Sequence, residues 1–182
     1  MTSWPSPDMK LVGEGIVKVK LVNNGPVKAT SGPLILQTNP KSGIGVWEAG
    51  SDGVLQVEAQ LINNGTVKAT SGTVILTNPN PNFPISGSGV WEATGPGGLL
   101  QVSSKVIGSG TWKVSDPEAE IRINNPTCVT GALSMSAGQF SVNEKFITTG
   151  NLGMTGGTVF VNRNKTAQFS GGPGNCGSGG SN

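Results

Sequence analysis

The chain has no histidine, no tyrosine and only two cysteines. Without histidine there can be no Ser-His-Asp triad, no Cys-His pair, no haem histidine and no histidine-based zinc site. Cys128 and Cys176 stand far apart and match no metal-ligand spacing. Charge is also sparse: 12% of the 182 residues are charged, the net is +2, and lysine and arginine form no cluster. The electrostatic footprint of a nucleic-acid-binding protein is therefore missing. No apolar run approaches the ~20 residues that a membrane-spanning helix needs. The Pro-rich stretch from Met1 to Lys10 lacks the basic-then-apolar plan of a signal peptide. Walker, dinucleotide-binding and nucleophile-elbow patterns are absent, because the Gly-x-Gly runs follow short apolar segments and open no helix. These absences predict a protein that is not an enzyme and holds no metal or cofactor.

What is abundant is glycine, at 29 residues, and it recurs at fixed spacing between short β-branched runs. Asn63-Asn64-Gly65-Thr66-Val67-Lys68-Ala69-Thr70-Ser71-Gly72 repeats residues 23–32 almost unchanged, 40 residues later. Gly45-Val46-Trp47-Glu48-Ala49 lies between the two copies and returns as Gly89-Val90-Trp91-Glu92-Ala93. A Gly-x-apolar-x-small motif begins at Gly25, Gly45, Gly65, Gly89, Gly110, Gly131 and Gly150. The unit is thus about 20 residues long, with one insertion around Asn78 to Ile85. A second strand pattern, Gly-x-apolar-x-apolar, alternates with it from residues 15–19 and 32–36 onward, and near residue 119 the copy Ala-Glu-Ile-Arg-Ile keeps the alternation without the glycine. A less regular third segment closes the turn, as in residues 20–25, 60–65, 105–110 and 122–125. Three short strands per turn predict an all-β fold, a right-handed parallel β-helix or three-faced β-solenoid of about eight coils of roughly 20 residues. The solenoid is expected over residues 13–170, between a Pro-containing cap or arm (1–12) and a Gly-rich tail (171–182).

Strand alternation sends every second side chain inward. On the first face this buries Trp47, Trp91 and Trp112 in the same row as Val27 and Val67. The outward row reads Lys28, Glu48, Lys68, Glu92, Lys113, so parallel stacking places each charge beside its opposite. The asparagine pairs 23/24, 63/64 and 124/125 are expected at one corner, as turn residues. On the second face Ile16, Ile35, Val54, Ile75 and Phe160 face outward, interleaved with Gln56, Gln101 and Gln139. Such an apolar stripe suggests lateral contact with another chain or surface. Asp116, Glu118, Glu120 and Arg122 form the one acidic cluster, read as a solvated edge rather than a cation or sugar-cleaving site. A Cys128–Cys176 disulfide within the chain requires the tail to fold back along the stack and implies an oxidising compartment, and a link between subunits is the alternative.

The Asn63–Leu76 run, with the Gly-Ser-Gly-Val-Trp-Glu-Ala and Gly-Ser-Gly-Thr-Trp-Lys-Val pieces at 87–93 and 108–114, resembles repeats of bacterial secreted β-helix proteins. These are the passenger and stalk repeats of filamentous-haemagglutinin-like and autotransporter-type adhesins. The resemblance covers roughly residues 13 to 170, is one of repeat style, and includes no recognisable secretion domain or β-barrel. It implies an extracellular or cell-surface, structural or adhesive role. The expected function is a structural solenoid that self-assembles as a homo-oligomer or filament, or extends a surface fibre. The alternatives are an adhesin module with a glycan or cell-surface partner and, behind it, a polysaccharide lyase or hydrolase.

Overall fold

The computed structural model describes residues 10–80 and 82–169. They form a parallel β-solenoid of about eight turns, with no helix among the described residues and parallel pairing between all neighbouring strands. The inward row of the first face runs Val27, Trp47, Val67, Trp91, Trp112, Leu133, Leu152. That of the second runs Leu34, Leu55, Val74, Leu100, Ile121, Phe140, Val159. Both follow the 20-residue repeat, and Leu100 rather than Leu99 takes the inward place.

Pro26–Gly43 is the pivot of the sheet. It runs 18 residues through two corners and pairs with Leu11–Val17, Leu21–Asn23, Val46–Ala49 and Val54–Asn63. The three faces therefore join into one 15-stranded sheet, and only the later part of the third face, from Ile107, forms a separate sheet of four strands.

The first coil departs from expectation. Gly15 lies opposite Leu34, not Gly32, and Val17 lies opposite Leu36. Leu11–Val17 already pairs with residues 27–29, so the solenoid begins before residue 13, and Val19 lies beyond the strand and exposed. Glu14 alone spans the corner that takes four residues in the next coil. Gly13 and Gly15, at φ of 128° and 125°, supply a backbone conformation that other residues rarely adopt.

The third face also corrects the sequence reading. Its inward row is Leu21, Lys41, Leu61, Ile85, Val106, Thr127, Phe146, Ala167. Residues 122–125 do not belong to it: Glu120–Ile123 is the second-face strand, and Thr127–Val129 follows on the third. The asparagines consequently occupy two corners. Asn23 and Asn63 are buried after the third face. Each donates Nδ2 to a carbonyl of the next coil, Val46 O at 3.0 Å and Val90 O at 3.1 Å. Each Oδ1 accepts from the backbone nitrogen two residues on, Gly25 or Gly65. Gly43 sits between them at φ 142°, and a β-carbon there would overlap the carbonyl oxygen of Asn23. Asn124 instead follows the second face, where it accepts from Asn143 Nδ2 at 2.9 Å.

Alternating large and small inward residues fill the narrow interior. Trp47, Trp91 and Trp112 are fully buried. Towards the C-terminal end the core becomes aromatic, with one ring from each face. Trp112 stacks on Trp91 at 5.5 Å and meets Phe140 and Phe146 edge-on. Such ring pairs add roughly 0.5–1.5 kcal/mol each beyond their buried area. The 24-residue coil bulges at one corner, where Asn78 Nδ2 donates to Phe83 O and Ser104 Oγ donates to Asn78 O.

Candidate functional surfaces

The charge row of the first face stands in the expected register, Lys28 to Glu48 to Lys68 to Glu92 to Lys113. It resolves into two ion pairs rather than a continuous chain. Lys28 Nζ lies 3.0 Å from Glu48, and Lys68 Nζ lies 4.0 Å from Glu92. Each carboxylate has taken the lysine on its N-terminal side, so Lys113 closes the row against Ser134.

The second face does not carry the continuous apolar stripe that alternation suggested. Ile16, Ile35, Gln56, Ile75, Gln101, Arg122, Ser141 and Phe160 share one outward row. Val54 belongs to the adjacent row, between Pro33 and Thr73. Ile35, Val54 and Ile75 are half-buried, Ile35 and Ile75 beside Gln56. The two exposed members, Ile16 at 56% and Phe160 at 51%, occupy opposite ends of the molecule. This geometry replaces a lateral stripe with two apolar ends.

The acidic cluster is tied up locally. Glu120 receives two hydrogen bonds from Arg122, at 3.0 and 2.6 Å, and Asp116 Oδ1 accepts from the backbone of Glu118. Burial pushes the Glu120 carboxyl up, but the hydrogen bonds from Arg122 and Ser141 and the charge of Arg122 outweigh it and hold it below the usual value. The same hydrogen bond raises the Arg122 guanidinium. No group of three or more potential metal ligands converges among the described residues.

Composition gives no hint of the buried Lys41, which takes an inward place between Leu21 and Leu61 and is fully enclosed. Its Nζ donates to Gln37 O at 2.9 Å, and desolvation lowers its pKa from 10.5 to about 8. Directly outside this corner lies a groove open to solvent, lined by Gln37, Thr38, Glu58, Thr77, Asn78 and Asn80. The insertion loop forms its wall.

Cys128 lies on the outer side of the third face and is disulfide-bonded. The chain's other cysteine, Cys176, lies outside the described residues, as do the expected N-terminal cap (residues 1–9) and the Gly-rich tail.

The two ends differ in shape. At the C-terminal end the inward residues Leu152, Met154 and Val161 are 38–42% exposed, whereas Leu133, Met135 and Val142, one coil earlier, are buried. At the N-terminal end Gly13 and Gly15 hold inward places, with open space where a side chain would stand. No protein-family model, curated protein or solved structure matches this chain.

Proposed function

We propose that this chain is a non-catalytic, extracellular structural solenoid whose copies stack head to tail into a fibre or extend an existing one. The observation that carries the reading is the mismatch between its ends. Strand edges and core side chains stand open at the last described coil, and the first coil offers glycine-lined space in the same rows. A second copy continuing the register would set Met154 over Gly13 and Val159 over Gly15, large against small as in the interior. Phe160 of one copy would meet Ile16 of the next, which joins the two exposed apolar residues of the second face. Head-to-tail contacts of this kind do not close and so propagate.

The test is electron microscopy and light scattering of the full chain at increasing concentration, beside a Leu152→Glu/Met154→Glu variant. Both side chains are already exposed, so the variant is expected to keep its circular dichroism spectrum. Wild type should form end-to-end assemblies with an axial spacing of about 4.8 Å. The variant should remain as rods about 40 Å long. Wild-type rods that never associate, or assemblies that the two glutamates leave intact, sink the proposal.

A further inference from the structure

We infer that the third face is the docking seat of the chain's own C-terminal tail, pinned through Cys128 and laid across Ile147 as a strap that thiol exchange releases. Two observations meet at this place. Cys128 is disulfide-bonded, no described cysteine is free, and the chain's one other cysteine is Cys176. Cys128 also stands on the outward row that runs Ile107, Cys128, Ile147, Gln168. Ile147 is only 6% exposed there, while Ile107 in the same row is 38% exposed. The core does not bury it, because Phe146 fills the inward place and Ile147 takes no part in the core cluster. Its neighbours on the wall do not enclose it either, since Lys145 and Gln168 are exposed and Cys128 is half-buried. Ile147 therefore has a cover that the described strands do not supply.

The tail has the reach and the composition for this seat. Ala167–Phe169 ends the described chain on the same face, and residues 170–175 lead from it to Cys176. That linker can span about 20 Å, and Cys128 lies two coils back from Gln168, about 10 Å. Residues 170–182 carry no charged side chain, so none has to be desolvated against the aliphatic surface. Glycines at 171, 172 and 174 let a backbone approach a branched side chain closely. A bridge between two copies does not account for a cover found within one chain. Exchange with a dithiol removes the pin: the reductant leaves as its own disulfide, and Cys128 and Cys176 return as two thiols. Release bares Ile147 two coils from Ile107, so the apolar surface of this face is set by redox conditions. The device is independent of stacking at the ends.

The test is carbene footprinting of the full chain with and without dithiothreitol, read residue by residue by mass spectrometry, beside a non-reducing tryptic map of the monomer fraction. The map should contain residues 123–145 linked to residues 166–182. Labelling at Ile147 should rise severalfold on reduction, and as much in Cys176→Ser without reductant. Val22, on the same face at the other end of the stack, should be labelled equally in all three samples. Ile147→Ser, which thins the seat, should speed reduction of the disulfide about threefold by easing access to it. A disulfide found only between chains, equal labelling of Ile147 in the oxidised and reduced protein, a matching rise at Val22, or an unchanged rate of reduction in Ile147→Ser would each overturn the inference.

Discussion

Lys41 shows how a single residue can depart from the pattern that built its surroundings. Its row is apolar in the coils on either side, at Leu21 and Leu61, and the 20-residue repeat places a lysine exactly halfway between two leucines. The position was therefore legible, but the charge was hidden, because Thr38-Asn39-Pro40 recurs as Thr77-Asn78-Pro79 one place out of step and the overlay of repeats breaks just before Lys41. With a folded pKa of about 8 against an ordinary 10.5, the unfolded chain binds more protons between those values. Stability should thus rise with pH from about 8 towards 10.5 and be insensitive to this group below about 7. Urea melts at pH 7.5 and 9.5 should show wild type gaining on the order of 1 kcal/mol relative to Lys41→Met, or about 3 °C in Tm. Equal slopes for the two proteins would mean that Lys41 is not desolvated in the fold.

Among the strands, legibility followed the glycines. Where a strand opens on Gly-x-apolar, as at Gly45, Gly65 and Gly89, pairing matches the repeat residue by residue. It misleads where the same letters arise by another route. Residues 15–19 imitate the motif, yet the strand is two places out of step because Glu14 cuts the corner short. Residues 119–123 lack the glycine, and residues 122–125, expected on the third face, overlap the end of the second-face strand Glu120–Ile123. The first-face charges were readable because alternation fixes both their side and their order. What alternation could not reveal is that each glutamate binds only one lysine. Glu48→Lys would place three cations side by side at coil spacing, between Lys28 and Lys68. It should destabilise the fold by about 1–2 kcal/mol in dilute buffer, with most of the loss recovered in 1 M salt, where the screening length falls to about 3 Å. Urea titrations at the two ionic strengths measure both effects.

For the molecule as a whole, neighbour-only contact means that each coil is stabilised by the one before and the one after. The groove at the insertion corner was not legible from the sequence, since it arises between coils, from residues 37–38, 58 and 77–80 that lie about 20 residues apart in the chain. Unpaired edges at the two ends follow from stacking strands in a row, whatever the sequence. Stacked copies would bring Lys18 and Lys20 of one chain near Arg163 and Lys165 of another, although Lys165 is partly neutralised by Glu144 at 2.9 Å. Like charges at one corner oppose the apolar contacts elsewhere on the end. Light scattering should accordingly record more assembly as sodium chloride is raised from about 20 mM to about 300 mM, which shortens the Debye length from roughly 20 Å to about 6 Å. Dissociation on adding salt would mean that the ends attract through charge, contrary to the apolar contact described above.

The buried asparagine corners also bear on how long such a chain lasts. Asn24 and Asn64 each precede a glycine, the arrangement in which the next backbone nitrogen most readily attacks the asparagine side chain and converts it to a cyclic imide. At both corners that nitrogen is already donating, to Asn23 Oδ1 or Asn63 Oδ1 at 3.1 Å. The hydrogen bond that turns the chain therefore occupies the nucleophile, and the corners that fix the coil geometry also slow chemical ageing at its two most vulnerable bonds.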